Sequence, residues 1–199
     1  LEEADRRPDV RVVLLRGQPD VFTSGNDLQD FLLQPAADDD HPAFRFVRTI
    51  NATAKPIVAS VNGACIGVGA TMLLHCDLVY AGQHAVFALP FVNLGLCPEA
   101  GSSVIVPRMV GHARAAELLL LGEPFDSAAA AACGIVSAVL PDGDVLTTFV
   151  IPLQAAEKSA EFAVTHRLDL VAPVRDVGIV RHQHHGLAVF LGEPGQKVE

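Results

Sequence analysis

Basic residues are scarce in this sequence: 14 Lys and Arg stand against 23 Asp and Glu, for a formal net charge of −9. Duplex nucleic acid is held by clustered cations facing phosphates, so that class of partner is disfavoured. Long apolar runs are missing too, and none approaches the roughly 20 residues that a membrane-spanning helix needs. There is no basic amphipathic stretch to lie on a membrane surface. The opening LEEADRR shows neither the basic n-region nor the apolar h-region of a signal peptide. The four cysteines (Cys65, Cys76, Cys97 and Cys133) form no C-x-x-C pair, and no H-E-x-x-H spacing occurs among the 8 histidines. Both absences argue against a disulfide framework or a zinc site. Buried free thiols in a reducing compartment are expected instead, with a cytoplasmic location and no metal. His182, His184 and His185 read as a surface cluster. No internal repeat or linker divides the chain.

What remains is the composition of a folded α/β domain. Half of the 199 residues are hydrophobic and 19% are charged, enough for one sizeable core. Leu1–Arg7 resembles the last turns of a helix, and Val10–Leu15 reads as a strand. Val21–Thr23 leads into the turn-rich Ser24-Gly25-Asn26-Asp27. Leu28–Leu33 is a short amphipathic piece, and Pro35–Pro42 is an acidic surface loop. Phe44, Val47 and Ile50 carry helical spacing through Ala43–Ala52, which Lys55-Pro56 ends.

The central stretch is Val61–Asp77, VNGACIGVGATMLLHCD, preceded by the strand Ile57–Val61. Gly63, Gly67 and Gly69 make a glycine-rich turn into a helix. Such a turn lets backbone come close to a ligand, and the first helical N–H groups point outward as donors. A tight packing connection accounts for these glycines equally well. Leu78–Ala81 and Val86–Ala88 follow as short strands, and Val104–Val110 and His112–Leu121 as helices. Ser127 is expected to cap an alanine-rich helix running to Cys133, and Val136–Leu140 is a further strand. Glu99, in PFVNLGLCPEAGSS, stands alone among small and apolar residues. On charge alone it favours the N-terminus of the following helix.

Several of these motifs, in one order, resemble the crotonase superfamily, the enoyl-CoA hydratase/isomerase proteins. The similar run extends from about Val10 to about Val150: VRVVLLRG, FTSGNDL, KPIVASVNGACIGVGA, CDLVYAG, then GHARAAELLLLGEPFDSAAAAACGIVSAVLPDG. The resemblance implies a single-domain α/β fold, a crotonase-like spiral of ββα units, assembled as a homo-trimer or a dimer of trimers. It divides the chain at 150. Residues 1–150 form a core without the family's usual N-terminal strands, and residues 151–199 are not recognisable as its helical tail. Missing both, the chain is expected to expose apolar surface and to assemble poorly.

The same resemblance implies an acyl-CoA thioester substrate, with coenzyme A as part of the substrate and no other cofactor. Two backbone N–H groups, of Ser24 and Val68, form an oxyanion hole, and Gly25, Asn26, Asp27 and Gly67 flank the substrate. Family hydratases use a pair of glutamates, at positions that here hold Thr71 and Phe91. Glu99 instead falls where Δ3,Δ2-enoyl-CoA isomerases carry their single catalytic glutamate, so the implied reaction is isomerisation. The isomerase pattern has glycine where Ala100 stands, a change expected to matter little. Arg16 and Lys55 are candidate partners for the CoA phosphates. The alternatives are an enoyl-CoA hydratase or another acyl-CoA enzyme of the family, with Asp27 as a possible carboxylate, and a non-catalytic acyl-CoA or protein-binding member.

Overall fold

Strands of two sheets alternate along the chain. In the computed structural model, which describes residues 1–8, 10–18, 20–26, 41–145, 177–181 and 188–192, a short helix α1 (Glu2–Arg6) comes first. β1 (Val13–Arg16) is then followed by β2 (Val21–Thr23), β3 (Ile57–Val61) by β4 (Ala64–Ile66), and β5 (Leu78–Gly82) by β6 (Val86–Ala88). The first member of each pair enters one sheet and the second enters another. Helices α2 (Pro42–Ala52), α3 (Val68–Thr71) and α4 (Ser102–Val110) follow β2, β4 and β6 respectively. This is the expected spiral of ββα units.

Both sheets are parallel through the middle. β1, β3, β5 and β8 (Ala138–Leu140) are successive parallel neighbours in the first. In the second, β2, β4 and β6 are parallel, and the two-residue β7 (Phe125–Asp126) closes the edge antiparallel. All five residues of β3 are buried, as a run of apolar and small residues in the centre of a parallel sheet should be. The switch from β3 to β4 needs a glycine. Gly63 has φ 63°, and a Cβ there would lie 1.8 Å from the carbonyl oxygen of Asp20. Between the sheets and helices, Leu15, Phe22, Ile57, Phe87 and Leu89 are fully buried, with Phe87 stacked on Phe125 at 5.7 Å. Asp77 fastens the start of β3: its N–H donates to Ile57 O and its carboxylate accepts from Ile57 N, each at 2.8 Å.

Several local expectations change. Ala64–Ile66, read as part of a glycine turn, is a strand of the second sheet. The helix expected over 112–121 is α5 (His112–Ala116) and then a π-helical turn, Glu117–Leu121. For α6 (Ser127–Ala132) the cap is Asp126, whose Oδ1 accepts from Ala129 N at 2.7 Å. The Ser127 hydroxyl instead donates across to Gln83 O. Lys55 is a cap rather than a phosphate partner. Its Nζ donates to the carbonyls of Ala4 and Arg7 at the end of α1, where a cation meets the negative end of the helix dipole.

The C-terminal part also contributes to the sheet. β9 (Val177–Arg181) and β10 (Ala188–Gly192) form an antiparallel hairpin, and β10 lies antiparallel on β1, with Leu14 opposite Phe190. The edge of β1 is therefore covered. Exposed apolar side chains do occur elsewhere, on Leu94, Leu96, Val104, Leu120 and Leu121. The expectations for residues 27–40, for 151–176 as part of a segment not recognisable as the family's helical tail, and for the histidines at 182, 184 and 185 lie outside the described residues.

Removing residues 177–199 should open the β1 edge. An unpaired strand edge is a template for aggregation. The shortened chain is expected to lose hydrogen-exchange protection at Leu14 and Arg16, whose N–H groups face away from β3, and to elute as mixed oligomers. Unchanged protection and elution would show that the hairpin does not hold that edge.

Candidate active site

Parallel pairing of β2 with β4 sets Thr23 opposite Cys65, so the loops that leave the two strands start side by side. One loop carries Ser24, Gly25 and Asn26; the other is the Ile66–Gly67 turn. Their backbones touch. A Cβ on Gly25, whose φ is 95°, would lie 3.0 Å from Ile66 O and 4.0 Å from Gly67 Cα. The Gly25 N–H donates to Thr23 Oγ1 at 3.2 Å, which sets the direction of the first loop.

Gly67 is the N-cap of α3, at φ 59° and ψ −120°, a region closed to side chains with a Cβ. Its N–H donates to Ala88 O, and its carbonyl accepts from Ala70 N and Thr71 N, each at 3.0 Å. The Val68 N–H lies outside this set, as first-turn N–H groups of a helix do. Space beside Gly67 is open, with no atom within 4 Å of where a Cβ would be. Gly69 is the opposite case. A Cβ there would meet Thr23 Cγ2 at 2.4 Å and Thr23 O at 3.3 Å. Thr23 is buried and β-branched, so its methyl has nowhere to go. Ser24, Gly25, Gly67 and Val68 are thus brought to one place, with Asn26 next along the loop. Asp27 lies outside the described residues.

Glu99 sits on the segment that leaves β6 at Ala88, beside Gly67. At its far end, Ala100 O is bonded to His75 Nε2 at 2.8 Å. His75 ends the 3-10 turn Met72–His75 that continues α3, so the Glu99 segment is tied to both ends of this helical stretch. Glu99 O accepts from Ser102 N at 3.0 Å and from Ser102 Oγ at 2.6 Å. Ala100 has φ 53°, the one positive φ outside glycine among the described residues. A left-handed alanine costs about 1–2 kcal/mol, so the replacement of glycine there matters more than expected.

The electrostatics separate Glu99 from its surroundings. It is half-buried, and burial pushes its carboxyl above the ordinary carboxylate range. Thr71 is fully buried, with its hydroxyl turned to Val68 O, and Phe91 is part of the apolar core. The sequence reading misses His75, and it places Gly69 in the glycine-rich turn without its contact to Thr23. Neither contact has a sequence signal, because each partner is distant in the chain.

A model of the family described as enoyl-CoA hydratase/isomerase matches residues 1–182. The chain belongs to the enoyl-CoA hydratase/isomerase family. It is 40% identical over 140 residues to rat (Rattus norvegicus) enoyl-CoA delta isomerase 2, covering 67% of this chain and 36% of that protein. It is also 34% identical over 163 residues to 2,3-dehydroadipyl-CoA hydratase of Escherichia coli strain K12, covering 80% of this chain and 62% of that one. The solved structure of Pseudomonas aeruginosa OdaA superposes with a TM-score of 0.73 at 51% identity, over 76% of this chain and 62% of the other. The chain therefore spans only part of the length of these relatives.

Within the family fold, Cys65 and Cys133 are buried, Cys76 is half-buried and Cys97 is exposed, so the expectation of buried thiols fails at Cys97. All four are free. Burial, with Asp77 adding to it, pushes the Cys76 thiol up to about 12, and burial raises Cys65 as well. Among the described residues no helix is long and apolar enough to cross a membrane, and no cluster of His, Cys, Asp or Glu has the makings of a metal site.

The raised Glu99 carboxyl yields a stability prediction. A folded-state pKa above the unfolded value means that folding disfavours the charged form. That cost is absent below the unfolded pKa, develops as pH rises toward the folded pKa, and is full above it. Glu99→Gln should therefore be more stable than the parent at neutral pH, with the difference fading below the ordinary carboxylate pKa. Urea titrations at several pH values test this; a variant that is less stable at pH 7 would contradict it.

Proposed function

We propose that this chain carries the catalytic core of an acyl-CoA enzyme that moves the double bond of a 3-enoyl-CoA to the 2-position. The observation that carries the reading is the placing of carboxylates. Glu99 is half-buried with its pKa raised, whereas the two hydratase positions hold the buried Thr71 and Phe91. The 40% identity to a protein named enoyl-CoA delta isomerase 2 supports the same choice.

In this reading the thioester carbonyl accepts hydrogen bonds from the N–H groups of Ser24 and Val68, flanked by Gly25, Asn26, Asp27 and Gly67. The Glu99 carboxylate removes a C2 proton. Electrons shift onto the thioester oxygen to give a dienolate, whose charge the two N–H groups oppose. Such donors are each worth on the order of 3–4 kcal/mol in a transition state. Glu99, now neutral, returns the same proton at C4, which leaves the double bond between C2 and C3. One group does both transfers, and no water is consumed. A pKa raised toward neutrality suits a group that must both take and give a proton.

The cofactor requirement in this proposal stops at the coenzyme A of the substrate. Exposed apolar side chains such as Leu120 and Leu121 favour an assembled form, a trimer or a dimer of trimers. The unpaired thiols favour the reducing cytoplasm.

The test is spectrophotometric, with purified protein given 3-enoyl-CoA and, separately, 2-enoyl-CoA. Isomerisation without hydration is expected, and Glu99→Gln should lower it by about 10²–10⁴-fold, as loss of a general base does. Binding of butyryl-CoA should barely change. The acid limb of kcat/KM should lie above the ordinary carboxylate range, activity rising as Glu99 ionises. Hydration of 2-enoyl-CoA would favour a hydratase, binding with no turnover would favour a non-catalytic member, and full isomerase activity in the variant would remove Glu99 as the base.

A further inference from the structure

We propose that His75 is a positioning residue for Glu99, acting through the carbonyl of Ala100. This rests on the reading of Glu99 as the base. A carbonyl oxygen only accepts, so the 2.8 Å contact requires the proton on His75 Nε2. The peptide group joining Ala100 to Gly101 is thereby held from one side. From the other, Ser102 holds the Glu99 carbonyl through both its N–H and its hydroxyl. The two carbonyls that follow the Glu99 side chain in the backbone are thus fixed by separate donors.

Ala100 gives the His75 contact its purpose. At φ 53° it holds a backbone conformation that a residue with a Cβ avoids, so the turn has a standing tendency to relax. Its Cβ is packed inside, because Ala100 is buried. Relaxation of this turn would swing the Glu99 backbone, and the His75 hydrogen bond opposes that swing. The donor is also well placed for a second reason. Val68 begins the helical stretch that His75 ends, so one rigid stretch carries a proposed oxyanion donor at its start and the anchor of the base at its finish. The separation between base and oxyanion is then set by a helix rather than by a loop. Misplacement of a reacting group by about 1 Å can cost on the order of 100-fold in rate.

The experiment compares His75→Phe and His75→Gln in the full chain. Phenylalanine keeps a planar ring and removes the donor, while the glutamine amide reaches about as far as Nε2. With 3-enoyl-CoA as substrate, His75→Phe is expected to lower kcat roughly ten- to hundredfold with KM and butyryl-CoA affinity little changed. His75→Gln should recover most of the loss. In an Ala100→Gly background, where the turn has no tendency to relax, the loss caused by His75→Phe should shrink. In a Glu99→Gln background it should vanish.

Each failure has its own signature. Wild-type kcat in His75→Phe, alongside an inactive Glu99→Gln, would overturn the positioning role and leave the base assignment intact. A fully active Glu99→Gln would overturn both. Equal losses in His75→Phe and His75→Gln, or the same loss with Gly at 100, would mean that His75 serves only packing. Should phenylalanine prevent folding, His75→Asn supplies the comparison, since its shorter amide falls short of Ala100 O; asparagine performing as well as glutamine would overturn the proposal.

Discussion

The missing side chain at Gly69 is the constraint on which the arrangement depends. With a Cβ there, α3 and the end of β2 would overlap at 2.4 Å, and the obstructing atom is the methyl of a buried threonine. The helix therefore sits directly on the strand end from which Ser24 departs. Two neighbouring glycines complete the approach from either side. Gly25 lets the first loop lie against Ile66 and Gly67, and Gly67 turns the chain through a conformation that only glycine takes up readily. Three glycines with three distinct reasons make one junction of two backbones.

From that junction the site extends along the helical stretch to His75, and energy is stored at its far end. Glu99 is held where burial disfavours its charge, and Ala100 is held where its backbone is strained. Both features cost stability and both lie next to each other. Proteins tolerate such costs where function needs them, and the surrounding fold must supply the difference. Here it does so through the Ser102 and His75 hydrogen bonds and through the parallel sheets behind them. Thr71 and Phe91 are buried, and neither carries a carboxylate.

Much of this was legible in the sequence, and the reasons for the rest are physical. The ordered motifs from Val10 to Val150 carried the fold, because the ββα spiral follows from their family. The roles proposed for Ser24, Val68 and Glu99 rest on the same resemblance, not on periodicity. Three-residue strands such as Ala64–Ile66 show too little alternation to be separated from the turn beside them. Asp126 and Ser127 compete as caps, and only geometry tells which oxygen meets Ala129 N. A sequence gives a cation no address, so Lys55 reads there as a phosphate partner; in the fold it closes α1. The hairpin of β9 and β10 has no clean period in its sequence, and it is defined by pairing to a strand more than a hundred residues earlier. His75 contacts a main-chain carbonyl 25 residues away, which no residue-type pattern records.

In the proposed reaction, the Gly69 contact sets the N–H groups of Ser24 and Val68 on one thioester oxygen. Infrared difference spectroscopy of bound butyryl-CoA, 13C-labelled at the thioester carbonyl, reads this directly. Two hydrogen bonds to the oxygen should move the carbonyl stretch to lower frequency on binding, and Gly69→Ala, which must push α3 off Thr23, should abolish most of that shift while the protein remains folded. A carbonyl band unmoved by binding to the parent protein, or moved equally in Gly69→Ala, would contradict the account.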